Sequence, residues 1–218
     1  MSFIDKTNIV IKKNNNDLYY FDIDKDIVLT KINNKNDILL SKILFTGDYS
    51  FVDIWLDTNE KDNIYGIIND KKGKILNLNI EEDNIDKHTM IKYDYKNFIV
   101  KFPYTKHIYN IKHTIYYSIN KSIPLLANLI HIYEDDNIYV KNTIDFIDYN
   151  ILSNFVVAYS NNRPIIFYFK LVDKFEELFV STFDLNSRSW SKPIQITKSN
   201  KNKIYLSVLQ DESSNYHI

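Results

Sequence analysis

Leu178-Phe-Val-Ser-Thr-Phe-Asp-Leu-Asn-Ser-Arg-Ser-Trp190-Ser-Lys-Pro-Ile-Gln-Ile196 contains the pattern on which the whole chain is built. Two runs in which apolar and polar residues alternate flank a short polar turn. Period-two alternation places successive side chains on opposite faces of a strand, so the stretch predicts a β-hairpin. The same outline recurs at Leu18–Ile32, Ile75–Ile91 and Leu129–Ile144, about every fifty residues. Ahead of the later three lies another pair of apolar runs. These are Phe51–Asp57 with Ile64–Asn69, His107–Ile111 with Thr114–Ile119, and Asn154–Tyr159 with Pro164–Lys170. Two pairs together make a four-stranded antiparallel unit.

A repeat of this length made of short strands predicts an all-β fold, an antiparallel β-propeller or an incomplete fragment of one. A single domain over 1–218 is expected, with blade units at 8–33 (completed by 203–218), 51–93, 97–147 and 154–198. Four blades are recognisable. Ile38–Phe45 and Phe98–Phe102 fall outside the repeat, as inserted strands or as a fifth, irregular blade. The first hairpin is preceded only by Asn8–Lys13, and the chain ends in Lys203–Gln210 and Asn215–Ile218, which resemble the opening of the second blade. Two readings stay open: the tail closes a ring with the N-terminal strands, or the open edges pair elsewhere.

Composition supports strands over helices. Hydrophobic residues make up 44%, with 17 Tyr and 13 Phe, and branched and aromatic side chains pack well on a pleated surface. Consecutive aromatics at Tyr19-Tyr20-Phe21, Tyr116-Tyr117 and Phe167-Tyr168-Phe169 point to both faces of their strands, as stacked sheets require. With 3 Gly, turns must rely on Asn and Asp in left-handed conformations, Gly73 serving one hairpin turn. The 27 basic and 28 acidic residues are interleaved, for a net charge of −1, so no basic stripe is available to nucleic acid. Cysteine is absent, which removes disulfides and thiolate chemistry. Neither a secretory leader nor an apolar stretch of membrane length is seen, so a cytoplasmic protein with no membrane partner is expected.

The segment Ser181–Ile194 resembles two family patterns. Phe183, Asp184 and Trp190 follow the aromatic-Asp and later Trp of a kelch blade. Ser181, Thr182, Asp184 and Trp190 resemble the Asp-box hairpin of sialidase-type propellers, with Asn186 in place of its glycine and Trp190 one residue late. The double glycine of kelch repeats is missing. Both resemblances imply a propeller and give Asp184 and Trp190 a structural part: the carboxylate gathers turn N–H groups and the indole locks the hairpin. Sialidases clamp their substrate with three arginines, and this chain has only Arg163 and Arg188. Sialidase activity is therefore excluded for a single chain.

Candidate sites are few. In Phe51-Val-Asp-Ile-Trp-Leu-Asp57, alternation puts Phe51, Asp53 and Trp55 on one strand face. Asp53 and Trp55 could then line a central channel, an acid-plus-aromatic pair suited to a glycan. Of the five histidines, none forms a close ligand pair, and His107 and His113 read as turn or surface positions. No catalytic residue, metal site or cofactor is predicted. The function expected is a non-enzymatic scaffold that binds a protein partner or self-associates, with Tyr205 and Tyr216 at an open edge. The alternative is a carbohydrate-binding or glycoside-hydrolase-related propeller.

Overall fold

A computed structural model describes residues 7–218 apart from 109–110, 136–137, 200 and 214. Among the described residues the chain is all-β and antiparallel, with a single 3-10 turn at Phe51–Asp53. It divides into two compact units, residues 1–94 and 95–218.

In the first unit, β1 (Thr7–Lys12), β2 (Leu18–Ile32) and β3 (Ile38–Tyr49) form a three-stranded sheet. β4 (Ile54–Thr58), β5 (Ile64–Asn69), β6 (Lys74–Glu81) and β7 (Asn84–Lys92) form a four-stranded meander. One core joins the two sheets: Tyr19, Phe21 and Ile27 of β2 are buried in the same cluster as Ile64, Ile68 and Leu78. Gly66 lies opposite Leu56 across β4 and β5. A Cβ there would run into the Trp55 carbonyl oxygen, so close strand approach demands glycine.

In the second unit, β8 (Phe98–Ile108), β9 (Ile111–Asn120), β10 (Leu126–Glu134) and β11 (Tyr139–Asp148) make another four-stranded meander. β12 (Val156–Ser160), β13 (Arg163–Val172), β14 (Phe175–Asp184) and β15 (Ser189–Trp190) follow in order, and β16 (Ile194–Gln195) also pairs with β14. β17 (Leu209–Gln210) and β18 (Tyr216–His217) form a short hairpin. The aromatic run in β13 serves two cores. Tyr168 packs with Tyr117 and Leu129, while Phe167 and Phe169 face away and pack with Leu206.

The turns explain how so many hairpins form with so little glycine. Asn33, Asn59, Asp70 and Asp211 each open a five-residue turn. The side-chain oxygen of each accepts the N–H of the residues two and four further on, at 2.8–3.0 Å. The fourth residue then takes the left-handed conformation, at Asn36 (φ 69), Asp62 (φ 62) and Gly73 (φ 91). Asn and Asp tolerate that region because their short polar side chains bond locally.

Three expectations are corrected. Leu18–Ile32 is not a hairpin but the single 15-residue strand β2. Its first half pairs with β1 and its second with β3. The Asp-Lys-Asp stretch read as a turn holds Lys25 at φ 66 beside a register shift, so the extra residue is absorbed as a bulge and the strand continues. Ile38–Phe45 and Phe98–Phe102, read as strands outside the repeat, are strands as expected but join the regular sheets, as parts of β3 and β8. Pro103 is tolerated in β8 because the ladder is irregular between Lys101 and Tyr104.

Candidate functional site

The β14–β15 hairpin sets Phe183 opposite Trp190, with ring centroids 5.4 Å apart. Asp184 Oδ1 accepts the Ser187 N–H at 2.7 Å and its hydroxyl at 3.0 Å, which ties the turn and holds the carboxyl below its usual range. Trp190 is half-buried, and its indole Nε1–H donates to His131 Nδ1 at 3.0 Å. His131 Nε2 lies 3.0 Å from His113 Nδ1.

Hydrogen-bond chemistry orders this relay. An indole can only donate, so His131 Nδ1 must be a bare acceptor. The neutral His131 ring then carries its proton on Nε2 and donates it to His113 Nδ1. His113 in turn carries its proton on Nε2, a buried atom with no hydrogen-bond partner. Both rings are wholly buried, among Phe183, Tyr133 and Trp190. Burial lowers the His113 pKa to about 4, with a further push from His107. Burial likewise drives His131 well below the ordinary value, His113 adding to it. The surface or turn position read for His113 is thus corrected. The available signal was that His113 and His131 both sit inside alternating apolar runs, but their meeting depends on the β9–β10 register.

Asp53 and Trp55 belong to the first unit. The predicted strand over Phe51–Asp57 begins only at Ile54, because Ser50 and Asp53 close a 3-10 turn. Asp53 Oδ2 accepts the Ser50 N–H at 3.1 Å and its hydroxyl at 2.9 Å, and Lys71 Nζ stands 3.0 Å away. The carboxylate is 0% exposed. Trp55 is half-buried and meets Tyr65 edge to face at 5.7 Å.

In the second unit Glu177 is buried and Asp145 half-buried, each paired with a lysine. Burial pushes the Glu177 carboxyl up, but the Thr197 hydroxyl, the Lys203 ammonium at 2.9 Å and the Ser199 N–H outweigh it and hold the pKa at about 2. Asp145 takes the Tyr168 hydroxyl at 2.9 Å and Lys170 on both oxygens at 3.1 Å, joining β11 to β13. Nearby, an open cleft of ≈ 380 Å³ is lined by Leu125, Asp148, Tyr149, Asn150, Leu171 and Asp173. Its two carboxylates and phenol ring suit a polyhydroxy ligand. Among the described residues, no group of three or more His, Asp and Glu could hold a metal ion.

No protein-family model matches the chain, and no curated protein matches it by sequence. Among solved structures, a bifunctional GH43-CE protein of Bacteroides eggerthii is similar over 93% of this chain and 27% of its own. The TM-score is 0.51 at 10% identity. A chain from the complex of the fission yeast SREBP-SCAP binding domains is similar over 92% of this chain and 51% of its own, with a TM-score of 0.47 at 12% identity. The first likeness bears on the fold, and this chain spans 27% of that larger protein chain.

Proposed function

We propose that this chain is a non-enzymatic β-propeller module, whole or in part, that works by protein contact and pairs with a second copy of itself through β3. Successive antiparallel meanders support the propeller reading, as does the likeness to a GH43 protein, a five-bladed propeller family. The observation that carries self-pairing is the edge of the first sheet. β3 ends that sheet, and Ile38, Leu39 and Ile43 on it are 67%, 54% and 56% exposed. An edge strand offers a row of N–H and C=O groups to another strand, and natural edges are commonly blunted by charge. Here Lys42 is the one charge from Ile38 to Thr46, and it stands between the exposed aliphatic Leu39 and Ile43.

The test is solution mass by light scattering over a tenfold concentration range, for the parent and for Ile38→Lys with Ile43→Lys. The parent should rise toward twice the mass of one chain, and the double variant should stay at one. A parent that holds the one-chain mass throughout overturns self-pairing.

A glycan-binding propeller is the second reading. It is favoured by the GH43 likeness together with the Asp148, Asp173 and Tyr149 cleft. A monomer whose tryptophan fluorescence saturates with a neutral oligosaccharide would move the assignment there. Loss of that response in Tyr149→Ala would place the sugar in the cleft, and loss in Trp55→Ala would place it at Trp55.

A further inference from the structure

We propose that Trp190, His131 and His113 form an acid-sensitive latch, which holds the β14–β15 hairpin against β9 and β10 at neutral pH and lets go when the imidazoles take up protons. The relay has one polarity because the indole can only donate. A ring becomes cationic only by adding a proton at its bare nitrogen, and on both rings that nitrogen is Nδ1. At His131 the new N–H would face the Trp190 N–H, now 3.0 Å from that nitrogen. At His113 it would face the His131 Nε2–H, also at 3.0 Å. Neither tautomer shift nor ring flip removes both clashes while Trp190 stays docked, because the indole has no acceptor. The closed latch therefore excludes the proton by geometry.

Neighbouring charges do not compensate. His107 on β8, and Lys112 on β9 beside it, are cationic or can become so, and Arg188 of the hairpin lies over the Tyr133 ring at 5.8 Å. Of the acids, Glu134 stands 3.9 Å from Lys112, and Asp135 accepts the Tyr133 hydroxyl at 3.1 Å. Among the described residues no carboxylate is bonded to either imidazole in the relay, whose walls are aromatic.

Release would be local. β14 stays paired with β13 from Phe175 to Thr182 through backbone bonds that do not titrate. The hairpin end has one more neutral tie, Asn142 Nδ2 donating to the Arg188 carbonyl at 3.1 Å. Each pH unit below the ordinary imidazole value, about 6.5, should lower the closed-to-open ratio by up to about tenfold per ring, until the closed rings themselves titrate.

Trp55→Phe leaves Trp190 as the sole tryptophan, and its emission is followed from about pH 7 to about pH 4 beside far-ultraviolet circular dichroism. The emission should shift to the red and become open to iodide quenching, more steeply than one proton allows, while the dichroism stays constant. Adding His113→Gln and His131→Gln keeps donors and acceptors without titration, and should flatten the emission over that range. A flat parent, a parent whose emission moves only with the dichroism, or an unchanged transition in the glutamine pair overturns the latch. Should the glutamine pair not fold, the parent alone decides. Its Trp190 indole N–H must lose exchange protection across the same range, and an indole still protected at about pH 4 overturns the proposal.

Discussion

Trp190 illustrates how much one side chain can hold together. Its ring packs on Phe183 of its own hairpin, and its N–H reaches His131 on a neighbouring sheet. Trp190→Ala removes that packing and leaves a buried imidazole acceptor without its donor. A loss of about 3 kcal/mol in urea unfolding is expected. A change below about 0.5 kcal/mol would mean that the indole contributes no packing. At this scale the local sequence was informative where chemistry is local. Asp184 and its turn partner Ser187 are three residues apart, so their bond follows from the turn. The partners of Asp53 are divided: Ser50 is three residues away, but Lys71 is eighteen, and alternation gave no hint of it. The strand assigned there was wrong because the Ser50–Asp53 bonds bend the chain before Ile54 can extend.

Hairpin elements repeat one device, an Asn or Asp whose side-chain oxygen gathers two N–H groups of the turn. Asn59 does so for Lys61 and Asn63, each at 3.0 Å. Replacing Asn59 by Ala removes the acceptor and should cost about 1 kcal/mol in urea unfolding, while Asn59→Asp, which keeps the oxygen, should cost less than half of that. Equal losses for both would show that the turn does not depend on the oxygen. The device was legible as Asn and Asp between alternating runs. It was also the source of the error at β2, where Asp22, Asp24 and Asp26 offer the same residue types. There, Ile23 and Ile27 are both wholly buried, and their burial in a shared core keeps the chain extended through the left-handed Lys25. Packing overrode the local preference for a turn.

At the scale of the whole molecule, the perturbed groups that titrate below neutrality among the described residues fall in the second unit: His107, His113, His131, Glu177, Asp184 and Asp211. All are lowered, so the folded state binds fewer protons than the unfolded chain, and stability is lost as the pH is brought down. The imidazoles act as pH drops from about 6.5 toward the His113 value of about 4. Glu177 acts below 4.5 and on toward about 2. Hydrogen exchange, corrected for its intrinsic rate, should show the hairpin end at Phe183, Asp184, Ser189 and Trp190 losing protection across the first range while β5 and β6 keep theirs. Equal loss in both units would refute this. Alternating runs, turn chemistry and composition were enough to reach an all-β chain of antiparallel hairpins, because each depends on residues a few positions apart. The joining of two halves of β2 to different partners, the burial of Asp53 and the meeting of His113, His131 and Trp190 were not legible. Those depend on strand register and on the stacking of one sheet against another, which bring together residues up to 77 positions apart in the chain.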